Sequence, residues 1–306
     1  MIDTVNKQTN LTVEERRGIL HRALNATPFF NIMPFEIVSE TRKRVQYKSK
    51  VQINLDYYLT DIRSNFDAVS NITGAIWHLN LYLAASGRSL YGYNLSQPLP
   101  ASFLSTDARF NIPVVDQRFD DRQRESIPLL IEKGEEVICE VENQSVKTAG
   151  TTANIMLAGF NMISYPYINS RETELINRSL SVETVFQDFR FTVNHNGQKF
   201  YNIENDANPR LVLGLGIVNT TATKEEISES SVSIVDTMRN VKFTNEQIPV
   251  EFLAPRLTCV LDTHIYYLPI EYYFMPFGNL RFQINNFFPS AQVPSGYEWV
   301  MLTRTV

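Results

Sequence analysis

Two stretches of the chain decide its fold: Val137-Ile138-Cys139-Glu140-Val141-Glu142-Asn143 and Leu280-Arg281-Phe282-Gln283-Ile284-Asn285-Asn286. In each, apolar side chains fall on every second residue, the period of a strand with one buried face, and the run closes on asparagine. Their surroundings match as well. Ile127-Pro128 and Leu268-Pro269 open an apolar run ahead of them, and Gly134 and Gly278 mark a turn just before each. After a polar loop, Ile155-x-Leu157 follows the first stretch and Val300-x-Leu302 the second. Order and spacing agree within a few residues, which points to an internal repeat.

The same period recurs outward from these segments. Val51, Ile53, Leu55, Tyr57 and Leu59 alternate with polar residues and Tyr58, and Trp77, Leu79, Leu81 and Leu83 do the same. Further runs are Phe189 to Val193, Leu211 to Ile217 and Leu257-x-Cys259-x-Leu261. Many short strands with almost no helical periodicity between them predict an all-β chain of two tandem antiparallel β-sandwiches. A long irregular stretch after the Trp77 strand (Ser86 to Asn111) and another after the Leu211 strand (Thr220 to Arg239) read as equivalent loops of the two halves. The boundary is expected in the polar segment Ile168 to Val182. The expected layout is an N-terminal arm over 1–45, a first sandwich over 46–167 and a second over 168–306.

Composition fits this plan. At 306 residues the chain has room for two domains, and 43% hydrophobic against 20% charged residues supplies apolar material for a core in each. A formal net charge of −5 gives no bulk attraction to nucleic acid or an anionic membrane, so any such contact must be local. No apolar run reaches the roughly 18 residues of a membrane helix, and Met1 to Asn10 is polar rather than signal-like. Residence in a cytoplasm is the expectation. Cys139 and Cys259 lie in alternating apolar runs, where a free cysteine acts as a small buried hydrophobe, so no disulfide is expected. Asn71-Ile72-Thr73 and Asn94-Leu95-Ser96 read as by-products of an asparagine-rich composition.

One helix is predicted. Thr12 and Glu15 form a capping box ahead of Ile19, Leu20, Ala23 and Leu24 at helical spacing, with an end near Asn25 before Pro28. Beyond it, Arg42, Lys43, Arg44, Lys48 and Lys50 make a dense basic set leading into a strand. These five residues suit phosphate, whether of lipid headgroup or nucleic acid, and equally suit an edge strand kept soluble by lysines.

Signs of catalysis are missing from the sequence. There is no P-loop and no hydrolase elbow, and Gly214-Leu215-Gly216 lacks the third glycine and following helix of a dinucleotide site. His21, His78, His195 and His264 are scattered without metal-ligand spacing. Asp116, Asp120 and Asp121 surround Arg118 and Arg122 without a calcium-loop pattern, as in a solvated turn laced with ion pairs. No catalytic, metal or cofactor site is assigned. An aromatic group, Tyr266, Tyr267, Tyr272, Tyr273, Phe274 and Phe277 followed by Phe287 and Phe288, reads as core packing, a subunit contact or a sugar platform.

The paired Pro, Gly and V-x-C-x-V-x-N or L-x-F-x-I-x-N segments, the two long loops and the capped helix give a layout over most of the chain that resembles a known family. The chain is similar in layout to the double jelly-roll major capsid proteins of tailless, internally membraned icosahedral bacteriophages. That resemblance implies a double jelly roll and a homotrimer whose six sandwiches tile a virion shell beside neighbouring capsomers, assembled in the host cytoplasm. It also implies that the N-terminal helix and basic run face an internal membrane or genome, and that no small-molecule substrate is used. Two rival classes stand beside it: another phage virion component (decoration, portal-ring or tail-associated), and a carbohydrate-binding β-sandwich protein.

Overall fold

The computed structural model describes residues 23–37, 45–66, 77–90, 98–104, 128–143, 151–162, 186–220, 230–254, 263–286 and 296–305. Within them the chain is almost entirely strand. The first sandwich uses β1 (Ala26–Ile37), β2 (Gln46–Gln52), β3 (Tyr57–Ser64), β4 (Trp77–Leu83), β5 (Leu99–Pro100), β6 (Leu129–Ile131), β7 (Glu136–Asn143) and β8 (Thr151–Met162). One sheet runs β1-β8-β3-β6 and the other β2-β7-β4-β5. This is the jelly-roll order, in which the first and last strands pair in one sheet and the second and seventh in the other.

The alternation seen in sequence is the device that closes this sandwich. Trp77, Leu79, Leu81 and Leu83 of β4 and Val137, Cys139 and Val141 of β7 point inward. There they meet Tyr57, Leu59 and Ile62 of β3 and Ile155 and Leu157 of β8, all buried. The Tyr57 hydroxyl reaches the Leu157 carbonyl at 2.7 Å and the Phe29 carbonyl at 3.0 Å, so its polar end is satisfied inside the apolar layer. Cys139 is free and buried, and desolvation pushes its thiol well above the ordinary value.

The second sandwich uses β9 (Phe186–Val193), β10 (Gly197–Glu204), β11 (Arg210–Asn219), β12 (Ser230–Asp236), β13 (Val241–Lys242), β15 (Thr263–Phe274), β16 (Asn279–Asn286) and β17 (Tyr297–Thr305). Its sheets run β9-β17-β11-β15 and β10-β16-β12-β13. Counted within the sandwich, these orders are the same as in the first. Its core is aromatic: Phe191 stacks on Tyr201 at 4.4 Å and packs on Phe282 at 5.3 Å, and Phe282 lies 6.0 Å from Trp299. Tyr297 donates to Asn286, and burial pushes its hydroxyl up to about 12.

The two sequence stretches that suggested a repeat are thus the seventh strand of each sandwich, β7 and β16. Gly134 and Gly278 lie in the turns before them, and both closing asparagines, Asn143 and Asn286, are fully buried.

Four expectations change. The run Val51 to Leu59 is not one strand: β2 and β3 belong to opposite sheets, and residues 53–56 carry the chain between them. Ile53 stays buried in the crossing and bonds through its backbone to Glu135 and Gly134, whereas Leu55, expected inward, is 41% exposed. The stretch Thr220 to Arg239 is not one irregular loop, because β12 lies inside it with strict inward alternation. Its inward positions Ser230 and Asp236 are polar, which hid the strand. The two long loops are also not equivalents, since β4 is the fourth strand of its sandwich and β11 the third. Finally, β1 falls in the stretch read as an arm; it is buried at most positions and so shows no period of two.

A segment from between β13 and β15 serves the other compact unit. Thr244–Pro255, with β14 (Ile248–Pro249) and a one-turn helix α1 (Val250–Leu253), groups with Phe29–Asn161. Asn245 clamps β1 in both directions, accepting from the Ile32 N–H at 2.7 Å and donating to the Ile32 carbonyl at 3.1 Å. Arg63 of β3 donates to the Phe252 carbonyl at 3.1 Å, and Asn65 bonds to Glu251. The capped helix is described only over residues 23–25, which are helical. Thr12, Glu15 and the boundary segment Ile168 to Val182 lie outside the described residues.

At Gly159 in β8, an added Cβ would sit 2.2 Å from the Tyr58 carbonyl oxygen and 2.8 Å from the Tyr57 ring. Gly159→Ala is therefore expected to cost about 1–3 kcal/mol or more through overpacking against backbone. Thermal unfolding should show the loss; an unchanged midpoint would contradict the close approach of β3 and β8.

Candidate assembly surfaces

Among the described residues no group of three His, Cys, Asp or Glu side chains is placed to hold a metal ion, and no helix is long and apolar enough to cross a membrane. His195 bonds through Nδ1 to the Tyr201 hydroxyl at 3.1 Å, and burial lowers its pKa. Asp206 is lowered as well, by different causes. Burial raises its carboxyl, but the Asn208 N–H and the Arg210 guanidinium together hold it below the usual value. Both sit in hairpin and turn contacts of the second sandwich.

The basic set divides at the edge of the described chain. Arg42, Lys43 and Arg44 lie outside it. Lys48 and Lys50 project from β2, an edge strand, toward carboxylates of the neighbouring β7. Lys48 Nζ lies 3.2 Å from Glu140, which also accepts from the Tyr82 hydroxyl at 2.9 Å, and Lys50 Nζ lies 2.8 Å from Glu136. The bond to Glu140 holds the Lys48 ammonium above its ordinary value. With Glu142 on the same face by register, these two lysines stand among three carboxylates. An approaching phosphate meets a locally balanced surface, and the lysines guard the strand edge.

The aromatic group separates by strand geometry. Tyr266, Tyr272 and Phe274 are buried, and Tyr272 donates to the buried Asp236 at 2.5 Å. Tyr273, on the opposite face of β15, is equally buried because Ala23 and Leu24 pack over it with Leu211 and Leu213. These four tyrosines and phenylalanines are thereby withdrawn from any surface contact of the folded subunit. Phe287 and Phe288 lie outside the described residues. Tyr267 and Phe277 remain, at 65% and 70% exposed.

Phe277 is held in an uncommon backbone conformation. Its φ is +57°, in the turn between β15 and β16, whereas the sister turn between β6 and β7 places Gly134 at φ +94°. A residue with Cβ costs about 1–2 kcal/mol in the left-handed region. The turn is over-determined by its neighbours: the Phe277 N–H donates to the Asp206 backbone carbonyl at 2.9 Å, and Asn205 Nδ2 donates to the Phe274 and Met275 carbonyls at 3.0 and 2.9 Å. A large apolar ring is thus presented to solvent at a strained position, a pattern that points to use rather than packing.

A second exposed apolar group went unnoticed in the sequence. Leu130, Tyr58 and Phe160 sit side by side across β6, β3 and β8, with the Tyr58 and Phe160 rings stacked at 5.1 Å. Leu130 is 43% exposed. Tyr58 was hidden because it occupies the outward phase of its strand between the buried Tyr57 and Leu59.

No protein-family model and no curated protein matches the chain. Among solved structures it is similar to the VP2 subviral particle of infectious bursal disease virus, at 9% identity and a TM-score of 0.24, covering 93% of this chain and 73% of that one. It is similar at 14% identity and a TM-score of 0.23 to the major capsid protein P2 of bacteriophage PM2, covering 91% of this chain and 98% of that one. A fucolectin from striped bass serum stands at 8% identity and 0.23, covering 93% and 97%. Two of these three are viral particle proteins and one is a lectin. The all-β sandwich fold itself rests on the strand order within each half.

Phe277→Gly is expected to raise the stability of the isolated subunit by about 1 kcal/mol, because the strain is relieved and little buried area is lost. Thermal unfolding should show the gain; an unchanged or lower midpoint would contradict the strain at Phe277.

Proposed function

We propose that the chain is a structural subunit of a virion shell, a major capsid protein that assembles as pseudo-hexagonal trimers into an icosahedral bacteriophage particle. The observation that carries this reading is the recurrence of one strand order in two sandwiches of a single chain. Two similar β-sandwiches per chain give six per trimer, so a three-fold object acquires a nearly six-fold outline that can tile a lattice. Such a subunit needs area rather than chemistry: obligate contacts each bury more than about 1,000 Å². Exposed apolar residues on sheet faces and turns, Phe277 and Leu130 among them, are suited to that work.

In this reading one sandwich corresponds to the unit Phe29–Asn161 with Thr244–Pro255, and the other to Met162–Phe243 with Arg256–Val306. The protein is not an enzyme, and its partners are further copies of itself and neighbouring capsomers, joined in the host cytoplasm. The N-terminal region supplies the contact to an internal membrane or genome, carried by Arg42, Lys43 and Arg44 more than by the paired Lys48 and Lys50.

Light scattering and negative-stain imaging of the purified protein test the assembly. A trimer with a pseudo-hexagonal outline is expected; a stable monomer that binds glycans would sink the capsid reading. The basic set has its own measurement. Replacing Arg42, Lys43 and Arg44 with Gln should weaken binding to anionic vesicles or DNA and flatten its salt dependence, with little added by replacing Lys48 and Lys50. Unchanged binding in the five-fold variant would leave these residues only the protection of a strand edge.

A further inference from the structure

The register of the sheet β10-β16-β12-β13 lays out its outer face in rows. Gln198 of β10 stands beside Asn285 of β16, which stands beside Ser231 of β12; in the next row Phe200 stands beside Gln283 and Gln283 beside Ser233. All six are on the outward phase, because Phe282 and Ile234 between them are buried and Tyr201 stacks on the core residue Phe191. These side chains are three amides, two hydroxyls and one phenyl ring. None is charged, whereas the outward positions of β2 and β7 in the first sandwich carry Lys48, Lys50, Glu136, Glu140 and Glu142. Phe200 is the anomaly of the face, a large apolar side chain 53% exposed on an edge strand. Its ring is nevertheless supported. The Arg281 guanidinium lies over it at 5.9 Å from the centroid, and Arg281 Nε donates to Asn202 Oδ1 at 3.3 Å. The exposed part of the ring is thus a shelf backed by a cation that a second side chain holds. In the neighbouring row Asn285 Oδ1 is buried without a partner among the described residues, a hydrogen-bonding capacity that the subunit leaves unused.

An aromatic shelf beside neutral donors and acceptors matches an uncharged, polyhydroxylated ring. The C–H face of a pyranose packs on the phenyl ring, and its hydroxyls exchange hydrogen bonds with amides and serines. Other occupants match less well. An anion finds no cation in these two rows, and a flat protein surface would have to strip water from five polar groups and pair each of them. We propose that the outer face of β10, β16 and β12 is a binding site for a neutral saccharide, with Phe200 as the stacking residue and Gln198, Gln283, Asn285, Ser231 and Ser233 as hydrogen-bonding partners. The site belongs to the second sandwich alone, goes beyond the shell reading and does not depend on how subunits assemble.

Calorimetric titration of the full-length protein with neutral hexasaccharides of glucose, galactose and mannose, up to about 10 mM, tests the site. At least one should bind. Phe200→Ala should weaken that binding at least about tenfold, Phe200→Trp should keep it, and the double variant Gln283→Ala/Asn285→Ala should weaken it by about tenfold as well. No binding of any of the three by the parent, or parent-like binding by Phe200→Ala, would overturn the proposal. Sedimentation of Phe200→Ala should match the parent. Loss of association would assign the face to a second copy, and binding of an oligouridylate that Phe200→Ala abolishes would assign it to single-stranded nucleic acid; either result would overturn the saccharide site. A monomeric parent that binds a hexasaccharide through Phe200 would defeat the shell reading and uphold this site.

Discussion

Neither sheet of either sandwich exists until the end of that sandwich has been made. The seventh strand lies between the second and fourth, and the eighth between the first and third, so β7 and β8, like β16 and β17, are the central members of sheets whose other strands come earlier. Everything else depends on these two late strands, one in the middle of each sheet. They supply the middle of the core, they leave the first, second, fifth and sixth strands as edges, and they make the pairing almost wholly non-local, the kind of topology that folds slowly. The demands on the seventh strand are accordingly strict, with tight turns at Gly134 and at Phe277-Gly278 before it, inward alternation along it, and a buried asparagine to end it.

That strictness explains which parts of the fold could be read from the residues. β4, β7 and β16 are packed on one face and turn the other outward, and they alternate, whereas β17 carries apolar residues on both faces. β1 is covered on both faces and so reads as an apolar run with prolines in it. β12 alternates in space but places Ser230 and Asp236 on the inner phase, where Asp236 is satisfied by Tyr272 and by backbone N–H groups of Met238 and Arg239. Between β2 and β3 the alternation in sequence runs on through a change of sheet at which Leu55 turns outward, which no pattern of two can reveal. The candidate contacts were legible only as a region. Tyr272 and Tyr273 are adjacent and both buried, because one faces the core and the other lies under Ala23 and Leu24.

Electrostatics play a restrained part in the described surface. The ion pairs of Lys48, Lys50 and Arg190 lie across or along strands at the periphery, where such pairs add little to stability but make edge-to-edge pairing with a wrong partner unfavourable.

The loan of Thr244–Pro255 to the first unit has a consequence for synthesis. The last residue of that unit's main segment, Asn161, leaves the ribosome 94 residues ahead of Pro255. At about 5–20 residues per second the first sandwich waits roughly 5–20 s for the Asn245 clamp on β1 and the Phe252 carbonyl that receives Arg63. During that interval its two sheets can close, but β1 and β3 stay without these hydrogen bonds. The nascent chain thus carries a built-in delay, and the half made first is the half finished only when much of the second has emerged.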